Sequence, residues 1–285
     1  MLQWTADFFT RKDIDEPRLS AELLLAHALD CSRMALYTQY ERVPPDAQIA
    51  SFRESVKLRA DHVPVAYLIG KAWFYSLEFL VTRDVLIPRP DTETLVEQVI
   101  SRVRQAPGWE TPAILDLCTG SGCIAIALAK NLPAAALVAT DISAGALGVA
   151  RQNAELHKVA DRIKITQGDL YEALASLTPA PRFQVIASNP PYIASGEIAE
   201  LPRHVREHEP RLALEGGPDG LAFHRRIIAG TREFLEPGGL LALEIAWNQA
   251  PEAQAVCAAA SHLENIRIVR DAAGQQRCVL ATRAK

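Results

Sequence analysis

From about residue 92 onward, short continuous apolar runs alternate with segments of helical spacing, and no other feature restricts the fold as tightly. The runs are PAILDLC (112–118), AALVATDI (135–142), RIKITQGD (162–169), FQVIASN (183–189) and GLLALEIA (239–246). Helical patterns cover Thr92–Arg104, Ile124–Leu132 and Ser143–His157, and a further one runs through Ala260. Strands that are apolar on both faces belong in a parallel sheet with helices on either side. The last two runs, NIRIVRD and QRCVLAT, are separated only by Ala272–Gly274 and read as an antiparallel pair. The spacing therefore predicts an α/β fold, with a mostly parallel sheet and antiparallel C-terminal strands.

The first part of the chain has a different character. Of the fifteen glycines, only Gly70 lies within residues 1–86. Few glycines among many Ala, Leu and Glu residues suit helices, whose interiors Gly weakens. Pro17–Leu29 places Leu19, Leu23 and Ala26 on one face, with Pro17 suited to a first turn. Asp46–Asp61 repeats the spacing with Ile49, Phe52, Val56 and Ala60. Trp4, Phe8 and Phe9 are expected in the core of this small domain. Residues 65–87, rich in β-branched and aromatic side chains, read as a hairpin joining the two parts. The expected division is a helical domain over 1–64, a hairpin linker over 65–88 and an α/β domain over 89–285.

The balance of 30 basic against 34 acidic residues gives a net charge of −4 and excludes binding nucleic acid by charge alone. Five cysteines, an odd number spread along the chain, form no disulfide framework and point to a reducing compartment. Neither a leader pattern nor a bilayer-length apolar run is evident, so a cytoplasmic protein without a membrane partner is expected.

Cys118-Thr119-Gly120-Ser121-Gly122 follows the first strand of the sheet and precedes a helix. Such glycines let the backbone turn tightly and approach a ligand. Asp141 ends the next strand, where nucleotide folds place the acid that binds ribose hydroxyls. The pattern points to a nucleoside-containing ligand, leaving a nicotinamide cofactor and S-adenosylmethionine both open. Asp169, ending the third strand, sits at the same sheet edge, where a helix cap is the alternative use.

Ser188-Asn189-Pro190-Pro191-Tyr192 discriminates between them. Two prolines stop the strand and stiffen the backbone, holding Asn189 at the carboxyl edge of the sheet. A planar –NH2 group offers two hydrogens, which the Asn189 side-chain oxygen and the Pro190 carbonyl can accept. Tyr192 can lie flat against such a group.

DLCTGSGCIAIALA, ATDIS and SNPPYI resemble methyltransferases that use S-adenosylmethionine to methylate planar nitrogen. LIPRPDTETLVEQV (86–99) and EPRLALEGGPDGLAFHRRII (209–228) are similar to the HemK/PrmC family of peptide chain release factor glutamine methyltransferases. The resemblance spans essentially the whole chain. It implies a Rossmann-like methyltransferase domain behind a small helical one, and methyl transfer to the Gly-Gly-Gln glutamine of class I release factors. It also implies S-adenosylhomocysteine as product and places Asn189, Pro190 and Tyr192 in catalysis. Asn189, Pro190, Pro191 and Tyr192 would bind the acceptor. Cys118, Thr119, Gly120, Ser121, Gly122, Asp141, Asp169, Leu170 and Asn189 would bind the cofactor. Cys118 stands where the family usually has glycine, and Leu170 where many relatives have an aromatic ring near the adenine.

A nucleic-acid methyltransferase with the same motif would need a basic recognition domain, yet residues 1–86 carry ten basic and twelve acidic side chains. A binding module without activity fits poorly with an intact motif. His204-Val-Arg-Glu207-His208 matches a zinc-peptidase arrangement, but its mixed charge reads as a solvated, mobile stretch, and no metal is expected. Arg225 and Arg226 read as a solvated helix face. Arg89 and Glu93 suit either the cofactor pocket or a helix start. No direct nucleic-acid contact and a monomer are expected.

Overall fold

The computed structural model describes residues 1–41, 43–175, 177 and 181–285, which form two compact units. The first comprises Met1–Lys71 with Pro202–His208, and the second Ala72–Leu201 with Glu209–Lys285.

In the first unit, α1 (Leu2–Arg11), α2 (Pro17–Ala28), α3 (Ala35–Thr38), α4 (Asp46–Ala60) and α5 (Val65–Ile69) enclose a small core. Phe9, Leu24, Leu25, Phe52, Val56 and Ile69 form its centre. The expected start at Pro17 is observed, with Pro17 in the first turn. Trp4 is a correction. It is 62% exposed, stacking on the half-buried Phe8 at 5.4 Å between ring centroids, and only Phe9 is fully buried. Residues four apart share a helix face while adjacent ones diverge by about 100°, so Trp4 and Phe8 turn outward together as Phe9 turns in.

Residues 65–87 also differ from expectation. Val65–Ile69 is helical and ends at Gly70, whose φ of 72° lies in the left-handed region. The hairpin is confined to β1 (Lys71–Phe74) and β2 (Leu77–Leu80). Tyr75 and Ser76 between them have φ of 50° and 60°, the backbone a tight two-residue hairpin requires. Phe74 and Phe79 are buried in the core of the second unit.

The second unit then runs through α6 (Glu93–Gln105), β3 (Ala113–Leu117), α7 (Cys123–Asn131), β4 (Ala136–Asp141), α8 (Ala144–Leu156), β5 (Ile163–Gln167) and β6 (Phe183–Ser188). After α9 (Arg203–Arg206), which belongs to the first unit, come α10 (Ala222–Phe234), β7 (Leu235–Glu244), α11 (Ala250–Ala259), β8 (Leu263–Arg270) and β9 (Gln276–Arg283). Seven strands form one sheet in the order β5-β4-β3-β6-β7-β9-β8. The pairs from β5 to β7 are parallel, while β9 runs antiparallel to both β7 and β8. The architecture is the Rossmann-like one expected.

Alternation along the strands feeds two apolar layers. Ile114, Val185, Leu240 and Ala242 face the layer containing α6 and α7, and Leu115, Ile186, Leu241 and Leu243 face the layer containing α10 and α11. Both faces are covered, which is why the strand sequences are continuously apolar. Among the described residues, no helix is long and apolar enough to cross a membrane.

Candidate active site

The order of the parallel strands determines where a ligand can sit. From β3 the chain proceeds to β4 and β5 on one side, then returns on the other through β6 and β7. This reversal leaves a crevice beyond the carboxyl ends of β3 and β6. Leu117 pairs with Ser188 there, so the Cys118–Gly122 loop and the Asn-Pro-Pro-Tyr segment emerge side by side. The Ser188 hydroxyl donates to the Leu117 carbonyl at 2.7 Å and ties the two strand ends together.

Gly120 has φ of 56° and open space where a Cβ would stand, so its backbone angle selects glycine. At Gly122 a Cβ would lie 3.1 Å from Ile126 and 3.3 Å from Ala150, so this position serves close packing at the start of α7. Cys118 has φ of 57° in the left-handed region, which costs a side-chain-bearing residue about 1–2 kcal/mol. Burial pushes its thiol pKa up, away from reactive thiolate.

Two acids shape this loop. Asp141 accepts from the Gly120 N–H with Oδ2 and from the Ser143 N–H with Oδ1, each at 2.9 Å. Burial raises its pKa while those backbone bonds oppose the shift. Asp116, fully buried within β3, accepts at Oδ2 from the Thr119 hydroxyl at 2.6 Å and from the Ala125 N–H at 3.2 Å. Its Oδ1 is buried without a partner among the described residues. Burial pushes the Asp116 carboxyl up to about 7, the two hydrogen bonds acting against this and the charge of Asp141 adding to it.

Cys118, Thr119, Gly120, Ser121, Asp141, Asp169, Leu170, Asn189 and Pro191 line one cleft, with about 960 Å³ of empty space partly open to solvent. Gly122, Pro190 and Tyr192 do not line it. Asn189 donates from Nδ2 to the Thr92 hydroxyl at 3.1 Å. Thr92 closes a 3-10 turn, Pro90–Thr92, that begins with proline. Tyr192 turns away from the cleft, its hydroxyl donating to Glu244 Oε1 at 3.3 Å and its carbonyl accepting from Gln249 Nε2 at 2.8 Å.

The Glu215–Leu221 loop packs directly on this segment. Gly216 N–H donates to the Ile193 carbonyl at 2.7 Å. A Cβ on Gly216 would stand 2.7 Å from the Tyr192 Cα, and one on Gly220 would stand 2.3 Å from the Tyr192 carbonyl oxygen. Those glycines are required by contact with the backbone of the Asn-Pro-Pro-Tyr segment.

Family models for the PrmC N-terminal domain and the methyltransferase small domain match residues 1–70 and 92–208, respectively. Over 285 residues the chain is 41% identical to the release factor glutamine methyltransferase of Rhodopirellula baltica, covering 100% of this chain and 95% of that one. The chain belongs to the release factor glutamine methyltransferase family. The counterpart in Chlorobaculum tepidum is 40% identical, covering 95% of this chain and 92% of its own. Among solved structures, the N-terminal domain of human METTL16 in complex with SAH matches with a TM-score of 0.52 at 18% identity, covering 74% of this chain and 77% of that one. At that identity the likeness concerns the fold.

For this family member, the partners of several polar side chains around the cleft and in α9 are also defined. Asp169 makes no side-chain cap, and its carboxylate pairs with Arg226 at 2.8 Å. Arg225 and Arg226 form the exposed helix face expected, Arg225 pairing there with Asp219. The His204–His208 stretch is exposed or half-exposed throughout, as expected of a solvated segment, and its two histidines contact residues of the first unit. His204 Nδ1 lies 3.2 Å from Asp15 Oδ2, and His208 Nε2 is 3.1 Å from the Asp61 carbonyl oxygen. No group of three metal-binding side chains occurs among the described residues. Arg89 lines the cleft and pairs with the buried Glu209, whereas Glu93 accepts from the Tyr75 N–H at 2.7 Å.

Sequence reasoning missed Thr92, Asp116, Asn153 and Glu244. Asn153, fully buried on α8, bonds both the N–H and the carbonyl of Leu80 and donates to the Ser121 carbonyl, tying the hairpin to the glycine loop. Asp116 and Glu244 did carry a signal, since each is an isolated acid in an otherwise apolar strand. Thr92 and Asn153 carried none, because their partners are distant in sequence.

Proposed function

We propose that this chain transfers a methyl group from S-adenosylmethionine to the side-chain amide nitrogen of the glutamine in the Gly-Gly-Gln motif of class I peptide chain release factors. The observation that carries this reading is Asn189, held by Pro190 and Pro191 at the end of β6 and lining the same cleft as the glycine loop and Asp141.

Three features support the cofactor. The cleft is lined jointly by the glycine loop, Asp141 and Leu170, from three successive strand ends. Asp141 uses two of its roughly four lone-pair directions on backbone N–H groups, leaving acceptors for ribose hydroxyls. Asp116, itself outside the cleft lining, holds the glycine loop in shape through the Thr119 hydroxyl and the Ala125 N–H. In this assignment Cys118, Thr119, Gly120 and Ser121 hold the methionine arm, Gly122 lets the loop pack closely on Ile126 and Ala150, and Asp169 and Leu170 stand near the adenine. Leu170 supplies apolar packing, being nearly fully buried. When bound, S-adenosylmethionine supplies an electrophilic methyl group and leaves as S-adenosylhomocysteine.

The chain's part is orientation. An amide nitrogen is a weak nucleophile because its lone pair is delocalised into the carbonyl. Asn189 Oδ1 and the Pro190 carbonyl accept the two amide hydrogens and leave the nitrogen facing the donor. Holding two reactants in such geometry contributes up to about 7–11 kcal/mol in ideal intramolecular models. Tyr192, bonded to Glu244, braces the Pro190–Pro191 backbone beneath the acceptor. No metal and no dedicated base is needed, because the methylated amide sheds its extra proton after transfer.

The helical residues 1–64 are assigned to holding the release factor, since a tripeptide motif alone offers little contact area. We further assign the chain to the cytoplasm as a monomer that makes no direct nucleic-acid contact, in keeping with its charge balance. Labelled-methyl transfer to a class I release factor, compared with a version whose motif glutamine is replaced by alanine, tests the acceptor. Label is expected only on the first, and equal labelling would refute it. Asn189→Ala should lower turnover by about 10²-fold or more, the scale of losing one oriented hydrogen-bonding group in an active site, with little change in cofactor affinity.

A further inference from the structure

We propose that Phe223 is the aromatic wall against which the adenine of the cofactor stacks. The proposal rests on the reading of the cleft as the S-adenosylmethionine site, with Asp169 and Leu170 near the base, and names the side chain that holds the base there.

A purine is flat, and every nucleobase offers a π face on which an aromatic side chain can stack. Leu170, aliphatic and nearly fully buried, supplies packing but no such face. Among the described residues that line the cleft, Phe223 is the one aromatic side chain. It is half-buried, packed against the apolar layer that contains Leu170, Leu221 and Ile227, and its exposed part borders the cleft.

The face of α10 that carries Phe223 fixes which part of the cleft the ring occupies. Phe223, Arg226, Ile227 and Phe234 recur at i, i+3, i+4 and i+11, so they lie along one side of the helix. That side is laid against the segment that follows β5. Arg226 pairs with Asp169 at 2.8 Å, and the Tyr171 hydroxyl donates to the Ile227 carbonyl at 2.8 Å. Further along, the Tyr171 ring stacks on Phe234, with centroids 4.8 Å apart and planes 7° from parallel. The same Arg226 guanidinium that holds Asp169 lies 5.8 Å from the centroid of the Phe223 ring. Phe223 is therefore one side chain removed from Asp169, although more than fifty residues of chain separate the two. A ring at that place meets the base of the cofactor and not its amino-acid arm, which the glycine loop receives.

The test uses the full-length protein carrying Phe223→Tyr, Phe223→Leu or Phe223→Ala, with dissociation constants measured by calorimetry for two probes. S-adenosylhomocysteine has both the base and the amino-acid arm. Methylthioadenosine has the same nucleoside without the amino and carboxylate groups. Phe223→Leu keeps apolar bulk while losing the aromatic face, and it carries the test alone if the alanine variant does not fold. Phe223→Ala should weaken both probes by about the same factor, tenfold or more, the scale of one base–aromatic stack. Phe223→Leu should also weaken both, and Phe223→Tyr should stay within about twofold of the parent. Parent-like affinity in Phe223→Leu would show that bulk alone suffices and overturns the stack. Weaker binding of S-adenosylhomocysteine with methylthioadenosine unchanged would put the ring along the arm, and a change confined to KM for the release factor would put it at the acceptor. Either result overturns the proposal. Unchanged S-adenosylhomocysteine affinity in Asp141→Ala would instead overturn the cleft as the cofactor site, so the two failures are distinct.

Discussion

The two units bury acids in opposite ways. In the first, Glu22 on α2 accepts from Arg18, Arg33 and Tyr37, and these bonds hold its carboxyl down to about 2. In the second, Asp116 and Glu244 are buried more completely and each keeps one oxygen without a partner, so burial pushes both up to about 7. Glu22 cross-links helices and has every incentive to stay charged. Asp116 and Glu244 lack such compensation, and burial favours their neutral form. Under-satisfied polar groups lower stability, and among the described residues four of the five buried side-chain atoms without a partner, all but Gln48 Oε1, lie in the second unit.

The sharpest way to break this contrast is Glu22→Ala. Loss of several charge-assisted bonds should cost about 2 kcal/mol of stability, moderated because Arg18 and Arg33 are half exposed and find water instead. Chemical denaturation of the full chain measures it. A loss indistinguishable from that of an exposed Glu54→Ala control would show that Glu22 is no cross-link.

The pH dependence gives opposite signs. A carboxyl held below its ordinary value contributes stability above about pH 4.5, and that contribution fades as pH falls toward about 2. Glu22→Gln should therefore lower Tm at neutral pH and converge on the parent in acid. Asp116 and Glu244 bind their protons more tightly when folded, so between about pH 4 and 7 the folded state loses stability as pH rises. Glu244→Gln should flatten that decline, gaining on the parent at pH 7 relative to pH 4. Melting curves at three pH values suffice, and matching slopes for the two variants would erase the distinction.

Backbone strain offers the smallest test. Left-handed residues in the first unit include Asp13 and Asp30, a side chain that tolerates the conformation, whereas the cleft holds Cys118 and Leu170 there. Cys118→Gly relieves the angle but forfeits side-chain packing, so a net gain of up to about 1 kcal/mol is expected in thermal denaturation. A clear loss would show that the thiol's contacts outweigh the strain.

Much of this was legible in sequence wherever local pattern and burial agree. The strands Ala113–Leu117 and Phe183–Ser188 announced themselves as apolar runs because both faces are covered. The turn at Gly120 and the stop at Pro190 were legible because single residues dictate their backbone. Orientation was not. Trp4 looks like core until the helix phase set by Phe9 turns it outward, and nothing local shows that His204 meets Asp15 and His208 the Asp61 carbonyl. Thr92 lies 97 residues from Asn189, and no local rule links them.

The glycines at 216 and 220 carry one more consequence. Because their missing side chains make room for the main chain at Pro191 and Tyr192, the Asn-Pro-Pro-Tyr segment is not a portable tetrapeptide. Transplanting it onto another α/β scaffold would import the motif without its mould, and the asparagine would be left unsupported. A designer seeking amide-directed methylation must move the two segments as a single part, although more than twenty residues of chain separate them.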